Sequence, residues 1–408
     1  MQDYLAKKLN TGLDSPMALI IFTTIIILLI RKTDALINPQ FWAEDGSVFF
    51  LQQYNHGVSA LFQEYAGYLH LVPRLIALIG DAFFSYSSIP AFYNYASLLI
   101  ILIVTLSIFS SRFHVKHKSL IALTISLVPH YENEVFLNVT NTTWILSIMI
   151  IIVLLKENPA KRYGKVVVQY ACDLLIIIIC GLSGPFIIFL MPFFGWKWIN
   201  KKNVYNTIIF TATSIISLIQ LSFIVSHSIN SYDVSTNLTA YSEVIGYRAF
   251  GGLLLGSNIA YKINPYILSF LYFSLLTLIL HLAYQKKDRF IFFSIGISLI
   301  YLLATFYRFK NNPEILVSPG NGVRYFYIPY VMLIWSLIAL LGQQEKWKNT
   351  LLKASLVLIL ISSLTSRFHS KPFIDYNWPL YSQSIGKEDM VIPINPVGWQ
   401  INVKAHTR

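Results

Sequence analysis

Gly67-Tyr-Leu-His-Leu-Val-Pro-Arg-Leu-Ile-Ala-Leu-Ile-Gly-Asp81 is apolar enough to pass for a membrane span, and whether it crosses decides the path of everything after it. Around it lies a chain of 408 residues, 55% hydrophobic and only 12% charged, with a mean hydropathy of +0.58. Soluble domains carry about 25% charged residues, so the composition excludes an ordinary soluble globule. Apolar runs near the ~20 residues that a bilayer requires occur at 16–31, 91–110, 119–130, 143–155, 166–182, 184–199, 204–226, 264–284, 290–308, 324–342 and 351–366. They predict an all-α polytopic membrane protein with about eleven transmembrane helices.

Charge fixes the expected topology. Six basic clusters lie between the apolar runs: Lys7/Lys8, Arg112/Lys116/Lys118, Lys156/Lys161/Arg162/Lys165, Lys197/Lys201/Lys202, Lys286/Lys287/Arg289 and Lys346/Lys348/Lys353. They hold 18 of the 31 Lys and Arg but only five acids, whereas the rest of the chain has 13 basic and 14 acidic residues. The positive-inside rule puts all six in the cytoplasm. Counting 67–84 as a span would turn over every later loop and place five of them outside. The stretch is therefore predicted as an amphipathic helix at the outer interface, with His70, Arg74 and Asp81 as its polar positions. Residues 1–366 then form a transmembrane domain with an inner N-terminus, 32–90 its first outer loop, and 367–408 an outer C-terminal segment. Arg31 and Lys32, just beyond the first helix, run against the rule.

Cys172 and Cys180 lie eight residues apart in one predicted helix, about 12 Å at 1.5 Å per residue, and cannot pair. No cleavable signal peptide, internal repeat or nucleotide-binding loop is visible. The triplets at Asn138, Asn141 and Asn237 match glycosylation acceptors, a pattern common by chance.

The five outer segments (32–90, 129–142, 227–263, 309–323 and 367–408) collect the unusual polar residues. The first carries Glu44 and Asp45, a short helix over 47–56, then His70 and Arg74. The second adds Glu132 and Glu134. The third holds His227, Glu243 and Arg248, and the fourth leads to Arg324 at a helix mouth. The last includes Ile392-Pro-Ile-Asn-Pro-Val-Gly-Trp399, an aromatic cap too small to fold alone. Carboxylates facing arginines suit a phosphate-linked substrate: a carboxylate can take the proton of a sugar hydroxyl, while Arg binds the departing phosphate. Ordinary interfacial charge explains His227, Glu243 and His369 better than any function does. It does not explain adjacent acids between Trp42 and Gly46. Asp173 and Gln220, inside predicted helices, read as structural hydrogen-bonding groups at least as well as functional ones, and Ser183-Gly-Pro185 reads as a tight outer turn.

Phe41-Trp-Ala-Glu-Asp-Gly46, Gly67-Tyr-Leu-His-Leu-Val-Pro-Arg74, Leu182-Ser-Gly-Pro-Phe186, Arg324-Tyr-Phe-Tyr-Ile-Pro329 and Ile392-Pro-Ile-Asn-Pro396 with Gly398-Trp399 together resemble the GT-C class of integral-membrane glycosyltransferases. Within it they resemble a bacterial branch that includes the serotype-converting O-antigen glucosyltransferases of phages and prophages. The resemblance implies a multi-pass enzyme of the bacterial inner membrane. Its donor would be a hexose, most often glucose, on undecaprenyl phosphate, and its acceptor a lipid-linked O-antigen (the polysaccharide of lipopolysaccharide) on the periplasmic side. Displacement would invert the sugar, with Asp45 as base and Glu44 orienting the acceptor or sharing the role. Glu132 or Glu134 would supply further acids, while Arg74, Arg324 and Arg248 would hold the donor phosphate. His70, Tyr325, Asn395 and Trp399 lie in the same blocks and join the substrate-binding candidates. No cofactor and no nucleic-acid partner are expected, and Glu-Asp in place of a spaced Asp-x-Asp gives a divalent metal no sequence support. The rival expectations are a polymerase or ligase of lipid-linked polysaccharide, and a flippase or transporter of lipid-linked sugars.

Overall fold

The structure, a computed structural model, describes residues 15–227, 237–342, 345–365 and 368–405; the Lys7/Lys8 cluster lies outside them, and so does the side chain of His227. Among the described residues six helices are long and apolar enough to cross a membrane: Tyr86–Ser107, Val204–Ser226, Pro265–Lys286, Arg289–Arg308, Val323–Leu340 and Lys346–Thr365. Five shorter apolar helices, of 10–17 residues, are Pro16–Arg31, Lys118–Leu127, Thr142–Leu155, Val166–Gly181 and Phe186–Asn200. The chain is a helical, multi-pass membrane protein in which six helices, not eleven, meet the length and composition of a span on their own. Nor is it wholly α: Glu64–Tyr65 pairs antiparallel with Tyr68–Leu69, and Met390–Ile394 with Trp399–Val403.

Helices apolar all round must be buried in protein or face lipid, and both kinds occur. Every residue of Tyr327–Leu340 is buried, and so is every residue of Thr142–Leu155 except Leu155. In the outer helices Leu19, Phe22, Leu218 and Phe270 are each more than 60% exposed, as lipid-facing side chains would be. Thr142–Leu155 has 14 residues, about 21 Å of rise, against the ~30 Å of a hydrocarbon core. Its shortness is made up by the irregular segment 128–141, most of which is buried as well. Non-helical backbone at such depth survives only where protein satisfies its polar groups.

Arg31 and Lys32 do so. Arg31, fully buried, donates from Nη1 to Ser126 O (2.6 Å) and Val128 O (3.0 Å) and from Nε to Asn133 Oδ1 (2.7 Å). Lys32 donates to Phe136 O at 2.8 Å. These two cations oppose the charge rule because they cap carbonyls: Ser126 lies in the last turn of the Lys118–Leu127 helix, whose terminal carbonyls need donors.

Leu71–Phe83 is the helix inside the opening stretch. At 13 residues it rises about 20 Å, less than the ~30 Å of a hydrocarbon core. Its orientation differs from the expected one. His70 and Arg74 turn inward and are buried, Asp81 is exposed, and the apolar Ile79 and Phe83 point outward. The helix is held by Leu71 N donating to Leu182 O (3.0 Å) and Val72 N to Ser183 Oγ (2.9 Å). Gln220 braces the same place, accepting from Leu69 N (2.9 Å) and donating to Gly181 O (3.0 Å) and Gly184 O (3.1 Å). Asp173 likewise has structural partners, Arg112 at 2.6 Å and the Tyr205 hydroxyl at 2.7 Å. Asn138 and Asn141 are buried and hydrogen-bonded to Glu134 O, which removes them as glycan acceptors.

The C-terminal segment does not stand alone. Trp378, Ile392, Ile394, Ile401 and Val403 share one apolar cluster with Phe41, Phe49, Phe50, Ile76, Tyr93 and Val139. Gly46 lets that seam close: a Cβ there would come 2.7 Å from Ile401 Cδ1, and the isoleucine would have to shift.

Arg31→Met should lower the melting temperature in detergent well below wild type, because each carbonyl left unpaired costs about 1–3 kcal/mol. Unchanged melting would show that the guanidinium does not hold segment 126–133.

Candidate functional site

The adjacent acids Glu44 and Asp45 part company at Ala43, whose φ of 40° is a left-handed conformation uncommon for a residue with a Cβ. The tail imposes it: Ala43 N donates to Asn395 O at 2.5 Å, and Asp45 N turns back to Trp42 O at 2.8 Å. Asn395 is tied in turn to Ile374, accepting from its N (3.0 Å) and donating to its O (2.9 Å). Beyond the turn the backbone takes a π-helical course over Asp45–Phe50, a geometry frequent at functional sites.

Asp45 points into the protein and is 1% exposed. Its Oδ1 accepts from Thr140 N (2.7 Å) and Thr140 Oγ1 (2.5 Å), and its Oδ2 from Val139 N (2.9 Å). Burial pushes its carboxyl up to about 6, the three donors hold it back, and the charge of Glu44 adds to the rise. Lys32, whose ammonium feels both Asp45 and Glu134, is lowered to about 8 by burial in the same region.

Glu44 stays half-buried and keeps one oxygen without a protein partner among the described residues, while Oε1 accepts from the Tyr65 hydroxyl at 3.2 Å. Burial, then the charge and hydrogen bond of Glu44, push the Tyr65 phenol up to about 12, so it remains a donor. Arg324 is close enough for its charge to act on Tyr65 and for Glu44 to act on it. It forms an ion pair with Glu134, and its backbone N also donates to Glu134 Oε2 at 3.3 Å. Tyr325 packs edge-on against Trp144 (5.3 Å) and Phe309 (5.1 Å). Glu44, Tyr65, Tyr68, Glu134, Arg324 and Tyr325 therefore form one cluster.

The other candidates fall elsewhere. Arg74 is buried one aromatic ring away, 5.5 Å from the Phe49 centroid, and donates to Gln52 Oε1 at 2.8 Å. Its Nε and Nη1 have no hydrogen-bond partner among the described residues. His70 stacks on Tyr68 at 4.5 Å, and burial followed by the charge of Arg74 lowers it to about 3, which keeps the imidazole neutral. Arg248 turns its Nη1 to the carbonyls of Leu316, Ser318 and Asn321. Asn395 and Trp399 build the tail and its contact with the motif rather than line the cluster. Glu132 is exposed on the far side of its loop, where its carbonyl meets Ser370. Among the described residues no three His, Cys, Asp or Glu side chains converge as metal ligands would.

Sequence reasoning passed over Tyr65, Tyr68 and Thr140. Ala66 and Gly67 both have positive φ (55° and 85°), so the chain reverses there and sets Tyr65 opposite Tyr68. The signal was Ala-Gly between two tyrosines. Thr140 was hidden inside an apparent glycosylation triplet.

No protein-family model, curated protein or solved structure matches this chain.

The pH dependence of Asp45 is testable. Its folded value lies above the ordinary 3.8, so its contribution to stability is full below about pH 4 and is lost as pH rises through about 6. Buried neutral His70 acts in the opposite sense over the same range, so the Asp45 share is read by difference: wild type should gain stability relative to Asp45→Asn on going from about pH 7.5 to about pH 5.5. An identical pH dependence in the variant would remove Asp45 from the account.

Proposed function

We propose that this protein is a GT-C-type glycosyltransferase with about eleven membrane-embedded helices, which transfers a hexose from a polyprenyl-phosphate carrier to a lipid-linked polysaccharide at the outer face of a bacterial inner membrane. One observation carries the reading: Glu44, a half-buried carboxylate hydrogen-bonded to Tyr65, keeps one oxygen without a partner among the described residues, in the cluster that holds the Arg324–Glu134 ion pair. The long polar segments gather around that pair, at the end of the bundle away from the Arg112–Asp173 ion pair.

In this reading Glu44, rather than Asp45, is the base. Asp45 has three donors on it and no exposure, whereas Glu44 has room to accept a proton from an acceptor hydroxyl. The hydroxyl oxygen then bonds to the anomeric carbon as the carbon–oxygen bond to phosphate breaks. The phosphate leaves on the opposite face with the bonding pair, and the sugar is inverted. Arg324 receives that charge by exchanging Glu134 for the phosphate. Asp45 is a positioning residue, fixing the first outer loop against the second. The short Thr142–Leu155 and Lys118–Leu127 helices complete their crossings with protein around them, which supports counting them among the eleven. The accessible Glu44 carboxylate favours transfer over an Arg- and His-based polymerase or ligase, and its place beside the outer segments favours it over a transporter with charges at mid-depth.

Glu44→Gln should lower the transfer rate about 10²–10⁴-fold with unchanged melting. A wild-type rate in Glu44→Gln, with an inactive but stably folded Asp45→Asn, would return the role to Asp45. Mass analysis of the host polysaccharide with and without the gene tests the reaction itself, and no change would favour transport. A reporter fused after Arg408 should read as periplasmic; a cytoplasmic signal would overturn the orientation.

A further inference from the structure

A cleft of about 640 Å3 opens between residues 81–87 and the C-terminal segment, apart from the Glu44 cluster. Small-molecule sites run from about 300 to about 1,000 Å3. Its walls present the Asp81 carboxylate, the hydroxyls of Ser85 and Ser87, and the Gln383 amide, all exposed. The Gln383 side chain has no hydrogen-bond partner among the described residues. Phe84, 42% exposed, is fixed from behind by stacking on Phe92 at 4.3 Å.

The composition of these walls selects a ligand class. No Lys or Arg lines the cleft, which disfavours a phosphate headgroup, since anionic lipids are held by basic residues. Carboxylate, hydroxyl and amide groups together offer both acceptors and donors to a polyhydroxylated ligand. An aromatic face beside them suits the C–H face of a sugar ring.

Both walls are also tied to the helix that begins at the motif. Asp81 accepts from Gln53 Nε2 at 3.1 Å, and Gln53 lies in Leu51–His56, directly after Asp45–Phe50. Trp378 Nε1 donates to Tyr86 O at 2.8 Å, and Phe50 packs against both Tyr86 (5.9 Å) and Trp378 (5.6 Å). A ligand in the cleft is therefore held at a fixed offset from Glu44, the residue that precedes that helix.

We propose that this cleft is a second saccharide-binding subsite, which holds a distant part of a polymeric acceptor while Glu44 acts on the reacting hydroxyl. The assignment rests on the transferase reading, but its test separates the two.

Protein in lipid nanodiscs would be titrated with delipidated O-polysaccharide fragments of the source bacterium, one-repeat and multi-repeat, and with phosphatidylglycerol vesicles. The multi-repeat fragment should bind wild type. Ser87→Trp, which fills the cleft, and Gln383→Ala, which only removes an amide, should each weaken that binding about tenfold without altering melting. In transfer assays the same variants should raise KM for the long acceptor and leave kcat and the one-repeat acceptor unchanged, the mark of lost uniform binding. Equal binding by wild type and both variants would overturn the subsite, as would displacement of the fragment by phosphatidylglycerol alone. Cleft-dependent binding without any transfer would keep the subsite and overturn the transferase reading.

Discussion

The three hydrogen bonds that Val139 and Thr140 donate to Asp45 hold the irregular segment 128–141 at depth, and the rest of the site depends on that segment. A stretch of non-helical backbone buried in a membrane protein must find partners for every N–H and C=O. Here a carboxylate serves the N–H groups at one end, and Arg31 with Lys32 serves the carbonyls from Ser126 to Phe136. The segment in turn carries Glu134, the partner of Arg324, so the position of the arginine is set through Asp45. Asp45 is thus part of the architecture, and Glu44 is left with the freedom that chemistry requires.

Much of the scaffold was legible in the sequence because burial in lipid leaves a coarse signal. Water-soluble chains seldom sustain apolar runs of that length, and all eleven runs coincide with apolar helices. Charge counting set the opening stretch apart from them, since a span at 67–84 is inconsistent with every later loop, and the helix found there has 13 residues. Its facing was misjudged. An amphipathic pattern fixes which residues share a side of a helix but not whether protein or water lies on that side. His70 and Arg74 met protein.

The site was legible only in part, for three physical reasons. Adjacent residues point to different neighbours once one φ changes sign, so Glu44-Asp45 reads as a pair although Ala43 sends the two apart. A charge rule counts every loop cation alike, whereas Arg31 and Lys32 are consumed by carbonyls 95 and 104 residues away in sequence. Arg248 is consumed the same way, 68 residues from Leu316. Hydrogen bonds over such separations leave no local pattern.

The same long-range bonding explains why a tail of this kind accompanies a membrane-embedded site. The left-handed turn at Ala43 is unfavourable by itself and persists where surrounding structure over-determines it. Asn395 supplies that constraint from the far end of the chain, and Ile394 with Ile401 packs over Gly46, where an added Cβ would force the Ile401 side chain to move. The tail therefore acts on the motif without touching the Glu44 oxygens. It stabilises a backbone conformation that separates a free carboxylate from a buried one, and in the same stroke forms a wall of the cleft beside it.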